Sequence, residues 1–547
     1  MRFSLAVAFG LCCLPGFSFV LGQVFLLAGG RLSFVPAILI ILTTLGLVLA
    51  MVWRLSRSWS APAAVLAIVV VAGLACGVIY DTSFDGQQYH YDAVASLSQG
   101  WNPYRDAVPT NADVAVVGAL APWVSHYPAG AWISAAVQVA ASIPLEATKS
   151  HALLMLAGLL FVVFGAAREF GVTPMKAAVL ALLAAANPVL LVQLFTRMND
   201  GLLSASLALM VVFAMIWVLK RERWAMIPAI ALLLFALNLK FSAVLIGAFF
   251  CAIVCGLALW LRGWRRALQV GSVLLATGAA GILLVGAHPY VTNTVGHGNP
   301  FYPLMGDSPL DIVSSNVPPL LEQLNPVERL GVSYFGATAN GYNPPDERIK
   351  PPLMLYPSEL TYAGMFDTRI AGFGPLFSAA LTLGIVHAAV MLLARGRTQT
   401  TSLMLATAGA FVVLGLILPE PWWARYVSQV WWSPALVAGA ALMADGRRLR
   451  VAGWVLVGVM AANAGLVVLS AAKYVGQRNL DVRSQIAEMG RAPGKLCLYV
   501  GEMHARLALL GDLKQSLRIE GQPLQGCEVV PLAAGFNQTP AGYCSCP

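Results

Sequence analysis

Long charge-free apolar stretches alternate along this chain with short polar connections. Stretches of about 17–25 apolar residues are long enough to cross a bilayer as helices. They fall at roughly 5–28, 33–53, 61–80, 151–167, 177–196, 201–219, 225–239, 241–261, 268–288, 373–394, 401–418, 427–444 and 451–471. The pattern predicts about thirteen spans, with the junction at Asn238-Leu-Lys240 the least clear. The first stretch resembles a signal peptide in composition. It has no evident small-x-small cleavage site and more spans follow, so it reads as a retained anchor.

Composition agrees. Of 547 residues, 59% are hydrophobic and 11% charged, which is too little charge for the surface of a soluble protein this long. The net charge of +9 does not mark a nucleic-acid binder, because the cations are spread between apolar runs. With a cytoplasmic N-terminus, every inner connection is basic: Arg54 and Arg57; Arg168 and Lys176; Lys220, Arg221 and Arg223; Arg262, Arg265 and Arg266; Arg395 and Arg397; Arg447, Arg448 and Arg450. That is the positive-inside pattern, and it places the C-terminus outside the cytoplasmic membrane.

The organisation expected is two N-terminal spans (1–60), a main membrane domain (61–473) and an extracytoplasmic α/β module (474–547). The main domain carries outer loops at 81–150 and 289–372. In the first loop, Gly86 to Gln99 sets Tyr89, Ala93, Val94 and Leu97 on one helical face, as in a helix lying along the interface. The run 127–143 is short for a span. The second loop holds 12 of the 32 prolines, which favours an irregular cover over long helix. The tail has a polar helical stretch near Asp481-Met489 and two strand-like runs, at 496–500 and 528–532. Its four cysteines suggest an oxidising compartment, with Cys497–Cys527 the expected disulfide and Cys544 or Cys546 as competitors.

Candidate chemistry gathers on the outer side. Tyr80 to Asp92 packs three carboxylates, a histidine and three tyrosines into one short span after an apolar run. Asp85 with Gln88 reads as a capping box. A cap leaves Asp81, His90 and Asp92 unexplained, so Asp85 is also read as a general base on a hydroxyl. Arg197 and Asp200 end another run, where they pair with each other or turn a second acid towards the same cavity. Lys240 lies deep in apolar sequence and needs an anionic partner. Arg425, beside Trp422, Trp423 and Tyr426, is a second outer cation, and its planar fork suits phosphate. Tyr89, His90, His126 and Tyr426 are candidates for the cavity wall. His126 and His288 are able to share a divalent metal, but lone interfacial histidines are more often hydrogen-bonded surface groups. No cofactor or metal is expected.

Asp85-Gly-Gln-Gln-Tyr89, followed by Gly100-Trp101, resembles the first outer loop of the GT-C polytopic glycosyltransferases that use polyprenyl-phosphate sugars. These include the protein O-mannosyltransferases and the lipid A aminoarabinose transferase. His126-Tyr127-Pro128, Asn199-Asp200, Lys240 and Arg425-Tyr426 resemble later segments of that family, in order. There are departures: Gly86 stands where many members have a second acid, and two spans rather than one precede the loop span. The resemblance implies an all-α, GT-C-like membrane fold with Asp85 as base, Asp81 or Asp200 as second acid, and Lys240 and Arg425 on the donor phosphate. Its partners would be a polyprenyl-phosphate-linked sugar, a glycan, lipid or protein acceptor, and membrane lipids. A transporter, flippase, or outer-face polymerase or ligase of lipid-linked glycans is the alternative. A transporter predicts mid-membrane charges and related halves, and neither is evident here.

Overall fold

The computed structural model describes residues 2–106, 121–306, 309–310, 316–340, 349–394, 398–492, 495–499, 517–520, 529–532 and 542–545. Among them, nine helices are long and apolar enough to cross a membrane. The protein is a helical multi-pass membrane protein. All thirteen apolar runs fall on helices, but four of those helices fall below the length of the nine: Pro174–Ala185, Met226–Leu237, Phe377–Leu393 and Trp432–Met443.

The first helix, Arg2–Leu27, is the centre of the bundle rather than a peripheral anchor, with 78% of its apolar stretch buried. It packs on Phe34–Ser56, His151–Glu169, Met226–Leu237 and Gly130–Ala140. Small residues let the backbones approach. A Cβ at Gly158 would lie 2.8 Å from Cys12 Sγ, and one at Gly165 would lie 2.7 Å from Leu5. By contrast Phe34–Ser56, Ser60–Gly77, Ala243–Arg262 and Trp264–Leu283 bury only 22–28% of theirs. Their exposed apolar faces suit lipid.

Three expectations are corrected. The 177–196 run is not one helix. Pro188 has no N–H to donate and disfavours a helical Asn187, so the helix stops at Ala185 and restarts as Pro188–Val192. Buried Asn187 caps the second piece and donates to Ser428 O at 2.9 Å. The segment after Gly86 does not turn one open face outward but is buried in protein. Tyr91–Ser98 buries Tyr91, Asp92, Ala93, Val94, Ser96 and Leu97 and packs on Gly130–Ala140. The polar helix near 481–489 is not separate but the far end of a 45-residue helix, Arg447–Arg491. That helix props the first loop: Asn479 Oδ1 accepts from Tyr80 N (3.0 Å), and Arg483 donates to Val78 O (2.6 Å).

The proline-rich loop is ordered around a buried pair, Lys350 and Glu359. Glu359 also accepts from Thr338 N and Tyr356 N, both at 2.8 Å, and Lys350 donates to Pro375 O at 2.6 Å. In the tail four short strands form one sheet in the order β2-β1-β4-β3: β1 (Leu496–Tyr499), β2 (Leu517–Glu520), β3 (Val530–Pro531) and β4 (Gly542–Ser545). Sequence pattern identifies β1 and β3 but not β2 or β4. Cys497 and Cys544 are each in a disulfide; Cys527 and Cys546, half of the expected pairings, lie outside the described residues.

Candidate active site

The loop after Ser60–Gly77 is built on Asp81, which is fully buried. Its Oδ1 accepts from Ser83 N (2.9 Å) and Ser83 Oγ (2.7 Å), and its Oδ2 accepts from Arg197 N (2.7 Å). Gly86 presses against this carboxylate: a Cβ there would lie 2.2 Å from Asp81 Oδ2. Hence the position where an adjacent second acid was sought has no room for a side chain. Asp81 is occupied in shaping the turn.

Asp85 is next, already in helical conformation and making no side-chain cap. The capping reading is therefore wrong. Its carboxylate instead accepts from Arg425 Nη1 at 3.0 Å. Arg425 lies in the short turn Ala424–Tyr426, where three carboxylates surround it: Asp85, Asp367 at 3.3 Å and Asp200 at 3.9 Å. Asp200 opens the helix Asp200–Lys220, where the helix dipole favours an anion, and its Oδ1 takes a 2.5 Å bond from Lys240. Lys240 sits in the break between Met226–Leu237 and Ala243–Arg262, fastened because Asn199 donates to Leu239 O at 3.1 Å. Asp367 accepts from Trp423 Nε1 (2.9 Å) and Arg369 Nε (2.8 Å). The rings complete the cage: Lys240 lies 4.2 Å from the Tyr426 ring centre, and Arg425 and Arg369 lie 4.5 and 4.6 Å from that of Trp423.

Three carboxylates thus face three cations, so each charge is compensated. Burial raises the pKa of Asp85; Arg425 opposes that, while Asp367 and Asp200 add to it. Burial works against the Arg425 charge, but Asp367, Asp85 and Asp200 outweigh it and hold the guanidinium well above its usual range. Tyr89 and Tyr127 line the same region and stay neutral, raised by burial and then by nearby groups that include Asp85 and Asp200.

A small crevice, with room for about one water molecule, lies beside this cluster next to Asp200–Lys220 and Ala243–Arg262. Asp200, Ser204, Ser242, Arg425, Tyr426 and Gln429 line its polar part; Leu203, Leu207, Ile246 and Phe250 line the rest. Ser204 Oγ and Gln429 Nε2 are buried without a hydrogen-bond partner among the described residues.

The structure brings together Asp85, Asp200, Lys240, Arg425 and Tyr426, with Tyr89 beside them. Arg197 and Asp200 do not pair; Arg197 donates instead to Thr148 Oγ1 (2.8 Å) and Leu145 O (2.5 Å). His90 sits behind the site, accepting from Trp132 Nε1 at 2.6 Å. His126 belongs to another group, bonded to Asn293 at 2.9 Å and set against His297 and Tyr302. His288 pairs with Thr292 Oγ1, so the two histidines are each taken up separately. Among the described residues no three His, Cys, Asp or Glu side chains gather as a metal centre. Sequence reading missed Asp367, Arg369, Ser204 and Gln429. The one local signal was Asp367-Thr-Arg369, a charged pair in an otherwise uncharged stretch before a span.

In comparisons with known proteins, no family model, no curated protein and no solved structure matches this chain.

Proposed function

We propose that the protein is a membrane glycosyltransferase, moving a sugar from a polyprenyl-phosphate donor to an acceptor hydroxyl at the outer face of the cytoplasmic membrane. The observation that carries the reading is the Asp85–Arg425–Asp200–Lys240 ion network, in which two half-buried cations stand among carboxylates. A lipid phosphate is an anion that could compete for those two cations. Lys240 and Arg425 would hold the phosphate, whose charge grows as the sugar leaves, and positioned cations lower that barrier. Asp85 would take the proton of the acceptor hydroxyl as its oxygen attacks the anomeric carbon from the opposite side, inverting it.

Charge compensation gives this mechanism an order. While Arg425 holds Asp85, the carboxylate is a poorer base. A donor phosphate competes for the same guanidinium, so donor binding would free Asp85 for the acceptor. The ionisable groups of the network sit at helix ends and in loops rather than in mid-span, which favours an enzyme over a transporter.

The test is incubation of the purified full-length chain with radiolabelled polyprenyl-phosphate sugars, reading label in candidate acceptors. Transfer that depends on Asp85 is expected; no transfer from any such donor would discard the reading. The orientation is tested separately. An alkaline phosphatase fusion after Pro547 should be active and one at Arg397, outside the described residues, inactive.

A further inference from the structure

The helix Asp200–Lys220 has a second charged end. About 30 Å from Asp200, by the rise of a 21-residue helix, Lys220, Arg221 and Arg223 meet Arg262, Arg265 and Arg266 of the next hairpin. The side chains are drawn together by helix-end carbonyls. Arg262 donates to Leu219 O at 2.5 Å, Arg266 to Trp217 O at 2.9 Å, and Lys220 to Glu169 O at 2.9 Å. Arg221 and Arg262 lie close enough for their charges to act on that of Arg266. Among the described residues none of these six cations forms an ion pair with a carboxylate. Of the nearby acids, Glu222 is engaged by Trp224 Nε1. Exposed Leu259, Trp260, Trp264 and Leu268 flank the cluster.

The positive-inside pattern asks only for basic residues in a connection. It does not ask that they converge from two hairpins; a left-handed arginine at the helix end, by contrast, occurs at Arg57 too and does not set this connection apart. Arg221 ends its helix at φ 58°, a left-handed position that favours glycine. We propose that this cluster is a binding site for the headgroup of an acidic phospholipid, with the phosphate among Arg221, Arg262 and Arg266 and the acyl chains against Trp260 and Trp264. Charge complementarity commits it to an anion, and the flanking exposed apolar side chains at the end of membrane spans commit it to a lipid.

The proposal is independent of the glycosyl-transfer reading, and its test needs no activity. The purified full-length protein is equilibrated with mixed phosphatidylcholine and phosphatidylglycerol, and bound lipid is counted by native mass spectrometry. Phosphatidylglycerol should be enriched, and the enrichment should fall about tenfold in the triple variant Arg221→Gln, Arg262→Gln, Arg266→Gln. The double variant Arg447→Gln, Arg448→Gln, at another basic connection, should keep it. Equal enrichment in the triple variant, or equal loss in the double variant, would overturn the site. Should the triple glutamine variant not fold, the triple lysine variant keeps the charge. Its enrichment should then fall as salt is raised, and salt-independent binding would refute the proposal.

Discussion

The two ends of one helix carry opposite electrostatic designs. At Asp200, carboxylates and cations alternate, buried or half-buried, each paired with another. At Lys220, cations gather without pairing to the neighbouring Glu169 or Glu222 and spend their hydrogen bonds on backbone carbonyls. Burial explains the difference. A charge taken out of water must be paired, whereas one at the membrane surface keeps its hydration and its attraction for anions. The paired end is where a reacting ion can be exchanged for a resident one. The unpaired end is where an anion is simply added.

The comparison breaks most visibly at Arg425. Arg425→Ala would leave Asp85, Asp200 and Asp367 without their shared counter-charge, a change that costs about 3–5 kcal/mol in a fully buried pair and less where, as at Asp85 and Asp367, the partners are half-buried. Thermal unfolding in detergent should show it as a large drop, with transfer abolished. Arg221→Ala, at the exposed end, should change unfolding by no more than about 0.5 kcal/mol. Similar costs at both ends would mean that the contrast in burial is not what governs them.

Asp85→Asn tests chemistry rather than stability. It removes the base and keeps the shape, so transfer should fall by about 10²–10⁴ while insertion and folding persist. Asp106→Asn, which disturbs a surface pair with Arg31 and one bond from Asn102 N, should keep near-native rates. Near-normal turnover in Asp85→Asn would move the base to Asp200 or Asp367. Asp92 is buried, so Asp92→Asn would not be a neutral comparison.

Acid separates the two roles. Burial raises the pKa of Asp85, so the folded chain holds that proton more tightly than the unfolded chain, whose value is about 3.9. Its contribution to stability therefore rises as pH falls through the window between the folded value and the unfolded one. Transfer runs the other way, since the base must be ionised. The rate should fall towards acid pH above the ordinary carboxylate range while far-UV circular dichroism stays native. Relative to Asp85→Asn, the native chain should also gain stability over that window. A rate that falls only where the protein unfolds would contradict this.

What could be read from the sequence follows the same physics. The apolar runs and the basic connections are local signals, and they mark the spans and one end of the bundle. Asp85, Asp200, Lys240 and Arg425 stand out because each is an ion out of place in apolar sequence. Asp367 stands out only as half of a charged pair with Arg369. It lies in a polar loop, and only tertiary folding, through Ala339 N to Ile370 O and the Lys350–Glu359 pair, carries it to Arg425. Burial of the first helix was equally hidden, because a helix apolar on all sides suits both lipid and core. Asn187-Pro188 is a strong stop signal inside a long apolar run, and the run masks it.

The smallest predicted effect asks whether Arg221 is held for its charge. At φ 58° an L-residue other than glycine costs about 1–2 kcal/mol. Glycine relieves that strain but loses more backbone freedom on folding, by roughly 0.5–1 kcal/mol relative to alanine. Arg221→Gly should therefore be neutral or raise stability by up to about 1 kcal/mol, a small upward shift in unfolding temperature. It should also weaken acidic-lipid capture, since one of three guanidiniums is gone. Stability gained together with lipid lost would mean that the cluster keeps a strained residue for what it binds. If the substitution destabilises the fold and leaves lipid capture unchanged, Arg221 is there for packing, and the contrast between the two ends of the helix loses its functional half.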